Sequence, residues 1–233
     1  MLRRRHRQVR YAVVVFVTLM LAAACSQDGP AAPDQPTVPD KDDCQGDVEE
    51  GYRPLFDGTQ ESLDRWRMAG PGGFELQDDC SAVTVGGMGL LWFPEEFGNY
   101  RLRLDWRMTG DDNSGVFVGF PDPGTDPWVA VEQGYEIQID ATDAPDRTTG
   151  AIYTFQGADA VARDGALRPP GEWNAYEIAV TGQRITVHLN DVLINELEST
   201  DPARDLSDGH IGLQNHGEED EVYFRNVRIA PFG

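Results

Sequence analysis

Glu136, Gln138 and Asp140 alternate along the chain with Tyr135, Ile137 and Ile139. In an extended backbone that spacing sets a carboxylate, an amide and a second carboxylate in a row on one face. A carboxyl beside amides is the equipment for moving protons on a hydroxylated substrate while holding its oxygens. An exposed glutamate titrates near about 4.3, whereas acid–base work at neutral pH favours about 6–7, so Glu136 needs burial or a carboxylate neighbour to serve. The plain alternative is the solvated face of an ordinary strand. His216, in Gln214-Asn215-His216-Gly217 at a strand end, is the second proton carrier, weighed against a turn histidine with no role. Arg107 precedes the Asn113-Ser114-Gly115 turn and could hold substrate oxygens or a developing oxyanion, or pair with one of many acids. Gln138, Gln156 and Gln214 offer paired donor and acceptor atoms for hydroxyl groups. Tyr153 or Trp173 could stack on a ring, although aromatics in strands usually belong to a core. His188 reads as a surface residue and His210 as structural.

Other chemistries lack their residues. The sequence has no His-Glu-x-x-His, no Gly-x-Ser-x-Gly and no phosphate-cradling glycine loop. Asp140, Asp143 and Asp146 could ligate Ca²⁺ but read as a solvated acidic loop. Neither a metal nor a cofactor is expected.

The elements that must position these residues are strands. Leu102, Leu104, Trp106 and Met108 share one face of 100–108, and Arg101, Arg103, Asp105 and Arg107 share the other. Ile185, Val187 and Leu189 oppose Arg184, Thr186, His188 and Asn190 in the same manner. Period two with one polar face predicts half-buried antiparallel strands. Further strands are expected near 74–76, 82–85, 89–93, 115–120, 135–140, 150–155, 173–180, 192–196, 210–214 and 221–229, with one short helical turn in 158–166. Gly, Pro, Asn and Asp clusters separate them. The fold class is therefore all-β: a two-sheet antiparallel sandwich or jelly roll, whose wide sheet would offer a groove on its polar outer face.

The N-terminus bears on compartment. Arg3, Arg4, Arg5, Arg7 and Arg10 precede an apolar run from Tyr11 to Leu21, and Ala22-Ala23-Ala24 leads into Cys25. This is the layout of a bacterial export signal over 1–24, too short for a spanning helix. Cys25 reads as a lipidation site that anchors the protein to the outward face of the cell membrane; cleavage to a soluble secreted form is the alternative. Residues 25–50 carry Pro30, Pro33, Pro36 and Pro39, many acids and little apolar surface, and read as a disordered tether. The folded domain is then 51–233. With Cys25 acylated, Cys44 and Cys80 remain as a disulfide pair in an oxidising compartment. The formal net charge is −21, and loss of 1–24 removes five arginines and no acids, making it −26. So acidic a chain argues against nucleic acid as partner.

Seven short segments then carry a resemblance. They are Leu55-Phe56-Asp57-Gly58, Asn113-Ser114-Gly115-Val116-Phe117, Gly134-Tyr135-Glu136-Ile137-Gln138-Ile139, Thr149-Gly150-Ala151-Ile152-Tyr153, Gly171-Glu172-Trp173-Asn174, Ile211-Gly212-Leu213-Gln214-Asn215-His216-Gly217 and Phe224-Arg225-Asn226-Val227-Arg228-Ile229. In this order, over about 55–229, the chain resembles the 3-keto-disaccharide hydrolase domain family. The resemblance implies a concanavalin A-like jelly roll acting on glycosides oxidised at sugar carbon 3, with a separate sugar 3-oxidoreductase supplying that substrate. One departure is Asn190-Asp191, where the family commonly has Asn-Gly at a hairpin. On this reading Glu136 and His216 move protons, and Arg107, Asn113, Gln138, Asp140, Tyr153, Gln156 and Gln214 hold the sugar. Two rival readings keep the fold: a non-catalytic carbohydrate-binding sandwich, and an envelope lipoprotein that meets another protein.

Overall fold

The computed structural model describes Cys44 and residues 49–232. The expected export signal, Cys25 and nearly all of the tether lie outside the described residues.

Alternating apolar residues fold as expected into two antiparallel sheets. The larger contains β1 (Arg53–Phe56), β3 (Gly73–Leu76), β4 (Ala82–Val85), β6 (Tyr100–Met108), β9 (Asn174–Thr181), β10 (Arg184–Leu189), β11 (Val192–Glu198) and β13 (Val222–Pro231). Its order is β11-β10-β9-β6-β13-β4-β3, with β1 also pairing with β13. The smaller sheet runs β2-β5-β12-β7-β8, from β2 (Arg67–Ala69), β5 (Gly89–Phe93), β12 (His210–Asn215), β7 (Asn113–Phe120) and β8 (Tyr135–Asp140). Among the described residues three short helices, α1 (Gln60–Leu63), α2 (Trp128–Gln133) and α3 (Ala160–Ala166), decorate the connections. The fold is all-β, as the alternation required.

The inner faces meet in one apolar core. Trp106, Tyr100, Tyr176 and Phe224 of the larger sheet pack with Val116, Tyr135, Ile137 and Leu213 of the smaller. Across this core the Tyr176 hydroxyl donates to the Gln138 carbonyl at 2.7 Å, fixing β8 against the opposite sheet. The larger sheet's outer face is arginine-rich and solvated. Arg103 pairs with Glu177 at 2.6 Å and Arg225 with Asp105 at 3.2 Å, in line with the alternation read for 100–108. The disulfide forms between Cys44 and Cys80, with Cα atoms 5.4 Å apart. Gly58 sits against it, because a Cβ there would lie 2.7 Å from the Cys80 Cβ. Asn190 and Asp191 both take positive φ, 48° and 68°, so the two-residue β10–β11 hairpin closes with Asp in the place of Gly.

Two expectations change. Residues 150–155 do not form a regular strand, because Gly150 (φ 80°) and Thr154 (φ 62°) turn the backbone left-handed at either end. The segment instead lies along the free edge of β8, with Gly150 N donating to Gln138 O, Gln138 N to Ala151 O and Tyr153 N to Glu136 O, each at 2.9 Å. Nor is β8 half-buried. All six of its residues are buried, so its polar face looks into covered space.

Candidate functional site

The smaller sheet carries a second, minor apolar cluster on its outer face: Ala69, Leu90, Trp92, Phe117, Phe120 and Ala130. Ala130 belongs to α2, which therefore docks across β7 and roofs part of that face. The helix is pinned at both ends. Trp128 N donates to Asp126 Oδ1 at 3.0 Å, and the Arg204 guanidinium donates to the carbonyls of Val131 and Gly134. Between α2, the 149–156 segment and the sheet lies a cavity of about 230 Å³. Its walls are Leu90, Phe117, Trp128 and Val131 on one side, and Asn113, Glu136, Gln138, Gln214 and His216 on the other, with Tyr153 beside them.

The floor is made by a missing side chain. Gly115 pairs with Gln138 on β8, and one step beyond the Val116–Leu213 pair the register brings it beside Gln214 on β12. A Cβ at 115 would stand 2.3 Å from Glu136 Oε1 and 2.7 Å from its Cγ, so the carboxyl occupies the space that glycine leaves. Three buried side-chain oxygens of these residues, Glu136 Oε1, Gln138 Oε1 and Gln214 Oε1, have no hydrogen-bond partner among the described residues. Unpaired buried acceptors are costly and rare in a settled core. Their residues line the cavity, while these three oxygens themselves are packed out of reach of water.

The electrostatics follow from burial. Glu136 is only 7 % exposed, and no lysine or arginine among the described residues lines the cavity. Desolvation pushes its carboxyl up to about 8, so at neutral pH it is mostly the protonated acid. Gln138 Nε2 donates to Asn113 Oδ1 at 3.2 Å, and Asn113 Nδ2 donates to Asp140 Oδ2 at 2.9 Å. Asp140 Oδ1 accepts the backbone N–H groups of Thr142 and Asp143. This chain of bonds fixes both amides at the cavity wall. At the mouth, His216 Nδ1 meets Asp220 Oδ2 at 2.7 Å. Asp220 Oδ1 also accepts Asn113 N at 2.9 Å, which ties the histidine's partner to the site strand. A carboxylate at Nδ1 fixes the imidazole's orientation and leaves Nε2 for other work.

Six of the nine residues named from sequence, Glu136, His216, Asn113, Gln138, Tyr153 and Gln214, therefore line one cavity. Asp140 stands one shell behind, holding Asn113. Two are placed elsewhere and are corrected. Arg107 lies on the outer face of the larger sheet, 3.6 Å from Asp79 and stacked over Tyr223 and Trp173 at 4.3 and 4.8 Å. The acid pair that competes for arginine in so acidic a chain has prevailed there, and Trp173 is occupied by cations rather than open to a ring. Gln156 donates to Asn195 Oδ1 at 2.8 Å and Glu196 O at 2.7 Å, clamping its segment to β11. The cavity that gathers these residues lies on the smaller sheet. The wide sheet's outer face carries a more open hollow, walled by Arg101, Glu177, Arg184 and Glu198 with His188 beside them, and none of the nine residues lies in it. His210 is structural: it is buried against Trp92, with Nδ1 3.1 Å from the Phe93 carbonyl.

Sequence reasoning missed Asp220, Gly115, Trp128 and Arg204. A lone glycine inside the strand pattern 113–120 was the available signal for Gly115, since such glycines often mark close approach. Asp220 and Arg204 come from loops remote in sequence and left no periodic trace.

A curated 3-keto-disaccharide hydrolase of Bacteroides thetaiotaomicron is 25% identical over 231 residues, covering 77% of this chain and 78% of that protein. Two crystal structures of Parabacteroides distasonis proteins, provisionally described as glycosyl hydrolases, superpose with TM-scores of 0.68 and 0.62. They are 20% and 26% identical, covering 81% and 78% of this chain and 99% of each relative. A galectin-like protein of Bacillus subtilis shares the fold at a TM-score of 0.58 and 16% identity, covering 77% of this chain and 94% of that one. The family model for the 3-keto-alpha-glucoside-1,2-lyase-like domain matches residues 51–230, and the chain belongs to that family.

Proposed function

We propose that this protein cleaves the glycosidic bond of 3-keto-glycosides, 3-keto-disaccharides among them. The observation that carries the reading is the convergence of a protonated, buried Glu136 and a carboxylate-held His216 on one cavity lined by the amide residues Asn113, Gln138 and Gln214. Membership of the family supplies the substrate class.

A carbonyl at carbon 3 acidifies the proton on carbon 2, and the glycosidic oxygen departs from carbon 1. His216 Nε2 takes the carbon 2 proton. The released electron pair forms the carbon 1–carbon 2 double bond, the bond from carbon 1 to the glycosidic oxygen breaks, and that oxygen takes the Glu136 proton. An alcohol and an unsaturated keto sugar result. Addition of water, with hydroxyl to carbon 1 and a proton to carbon 2, makes the net reaction hydrolysis. Gln138, Gln214, Asn113 and Tyr153 hold the sugar oxygens, and the apolar wall excludes bulk water, which strengthens each of these bonds. A cavity without a cation suits a neutral sugar better than a charged one.

The experiment is product analysis after incubating the purified protein with a 3-keto-disaccharide, with wild type and Glu136→Gln in parallel. Release of the second sugar by wild type alone supports the reading. Binding of the sugar without release by wild type would leave the carbohydrate-binding sandwich instead.

The proposed site of action is outside the cell, tethered through an acyl-modified Cys25. Support comes from the arginine-rich leader, the Ala22-Ala23-Ala24-Cys25 junction and a disulfide suited to an oxidising compartment. A Cys25→Ala variant should leave the membrane fraction; if it stays, the anchor lies elsewhere. A reaction that oxidises a sugar's carbon 3 hydroxyl must run upstream.

A further inference from the structure

The cavity's size and its rim together divide the substrate. At about 230 Å³ it falls below the roughly 300–1,000 Å³ usual for pockets that enclose a whole small ligand. On the proposed reaction, on which this inference rests, the ring that reacts must sit beside Glu136 and Gln138 at the closed end. The ring attached through the glycosidic oxygen is then left to emerge through the mouth.

What it meets there is Trp128. This residue lines the cavity and yet is 52% exposed, among the most exposed of the large apolar side chains described. Val131, three residues on and 36% exposed, stands beside it on the same side of α2 and lines the cavity too. An exposed indole at the mouth of a cavity is an unsatisfied apolar surface that calls for an occupant. The platform is also rigid. Ala130 anchors α2 in the apolar cluster beneath, Asp126 bonds the first turn, and Arg204 holds the last carbonyls. Ligand binding therefore spends little on ordering it. A lipid surface is a poor occupant, since the exposed acids Asp122, Asp126 and Glu132 flank Trp128 along the chain and carry negative charge.

We infer that Trp128, with Val131, forms the subsite for the leaving ring, stacking the indole on the apolar C–H face of a pyranose or on an aromatic leaving group. Selectivity for the leaving group then resides on α2, apart from the groups that move protons. Glycosides with a flat leaving group are favoured over those with a small alkyl one.

The test compares a 3-keto-glucosyl-glucose with methyl 3-keto-glucoside, using wild type, Trp128→Ala and Trp128→Phe. Trp128→Ala should lower kcat/KM for the disaccharide at least tenfold more than for the methyl glycoside, chiefly through KM; Trp128→Phe should recover most of that difference. Equal losses on both substrates would overturn the inference while leaving the reaction in place. Should wild type split neither, the reaction itself falls. Calorimetric binding of the same two sugars then decides the platform alone: a disaccharide-specific loss in Trp128→Ala upholds it, and no difference refutes it.

Discussion

Replacing Glu136 by glutamine separates what the carboxyl does for the reaction from what it does to the fold. The carboxyl is buried, and its pKa rises from 4.5 to about 8 because the charged form has lost its water. Below about 4.5 it is neutral in both folded and unfolded chains and affects stability little. As pH rises past 4.5 the unfolded carboxyl ionises while the folded one keeps its proton. The folded state then loses about 1.4 kcal/mol per pH unit, until it ionises as well near 8. At pH 7 the accumulated cost is on the order of 3 kcal/mol. Glutamine keeps the shape and never ionises. Glu136→Gln should therefore melt roughly 6–12 °C above wild type at pH 7, taking about 2–4 °C per kcal/mol for a chain of this size. At pH 4 the two should melt together. The same variant should lose about 10²–10⁴-fold in kcat, the usual worth of a positioned acid or base. Calorimetric melts at the two pH values read the first effect and product release reads the second. Equal stability at pH 7, or a gain of the same size at pH 4, would refute the claim that a buried, protonated carboxyl lies at the site.

Other perturbations test the surrounding parts. Wild-type kcat should fall as pH rises through about 8, because ionised Glu136 has no proton to give; a pH–rate profile flat to pH 9 contradicts that role. Gly115→Ala puts a methyl 2.3 Å from Glu136 Oε1. It should cost about 1–3 kcal/mol of stability by overpacking and more than tenfold in kcat, read by urea unfolding and turnover. Asp220→Asn leaves the shape at His216 but removes the charge on Nδ1. A kcat loss of about 10²-fold or more, with KM nearly unchanged, is expected, and loss confined to KM would count against it. Reducing the Cys44–Cys80 bridge, which closes a 36-residue separation, should lower stability by about 3–4 kcal/mol in the chain-entropy account, seen as a shift in the urea midpoint.

The fold was legible because alternation is a local property. The pattern of 100–108 alone assigns Leu102, Leu104 and Trp106 inward and the arginines outward, and the structure keeps that assignment. The same rule grouped Glu136 with Gln138, since residues two apart on a strand share a face whatever covers it. What alternation cannot tell is what lies above that face. Gln138 reads identically whether solvent or α2 and the 149–156 segment stand over it, so half-burial was expected where full burial is found. Arg107 and Gln156 fail for a related reason. Each has the right chemistry, but a partner distant in sequence, Asp79 for one and Asn195 for the other, decides where it goes. The 150–155 strand was lost to two left-handed residues, and Thr154 carries no sequence signal for that conformation.

Charge in this molecule is sorted between the two sheets, and the sorting bears on how the site works. The chain carries 40 acids against 19 lysines and arginines. Several of its arginines, Arg101, Arg103, Arg107, Arg225 and Arg228, lie on the outer face of the larger sheet, on β6 and β13. The smaller sheet's outer face receives none at the cavity, only amides, apolar groups, one histidine and one carboxyl. A net negative field and a cation-free pocket both favour proton uptake, so they act in the same direction as burial on Glu136. Had Arg107 stood in the cavity, as its sequence position suggested, its guanidinium would have held that carboxyl ionised and without a proton to give. Placing an arginine back there, as in Gln214→Arg, should therefore pull the alkaline limb of the pH–rate profile to lower pH and lower kcat at pH 7. An unchanged limb would mean that the ionisation governing the rate belongs to some group other than Glu136.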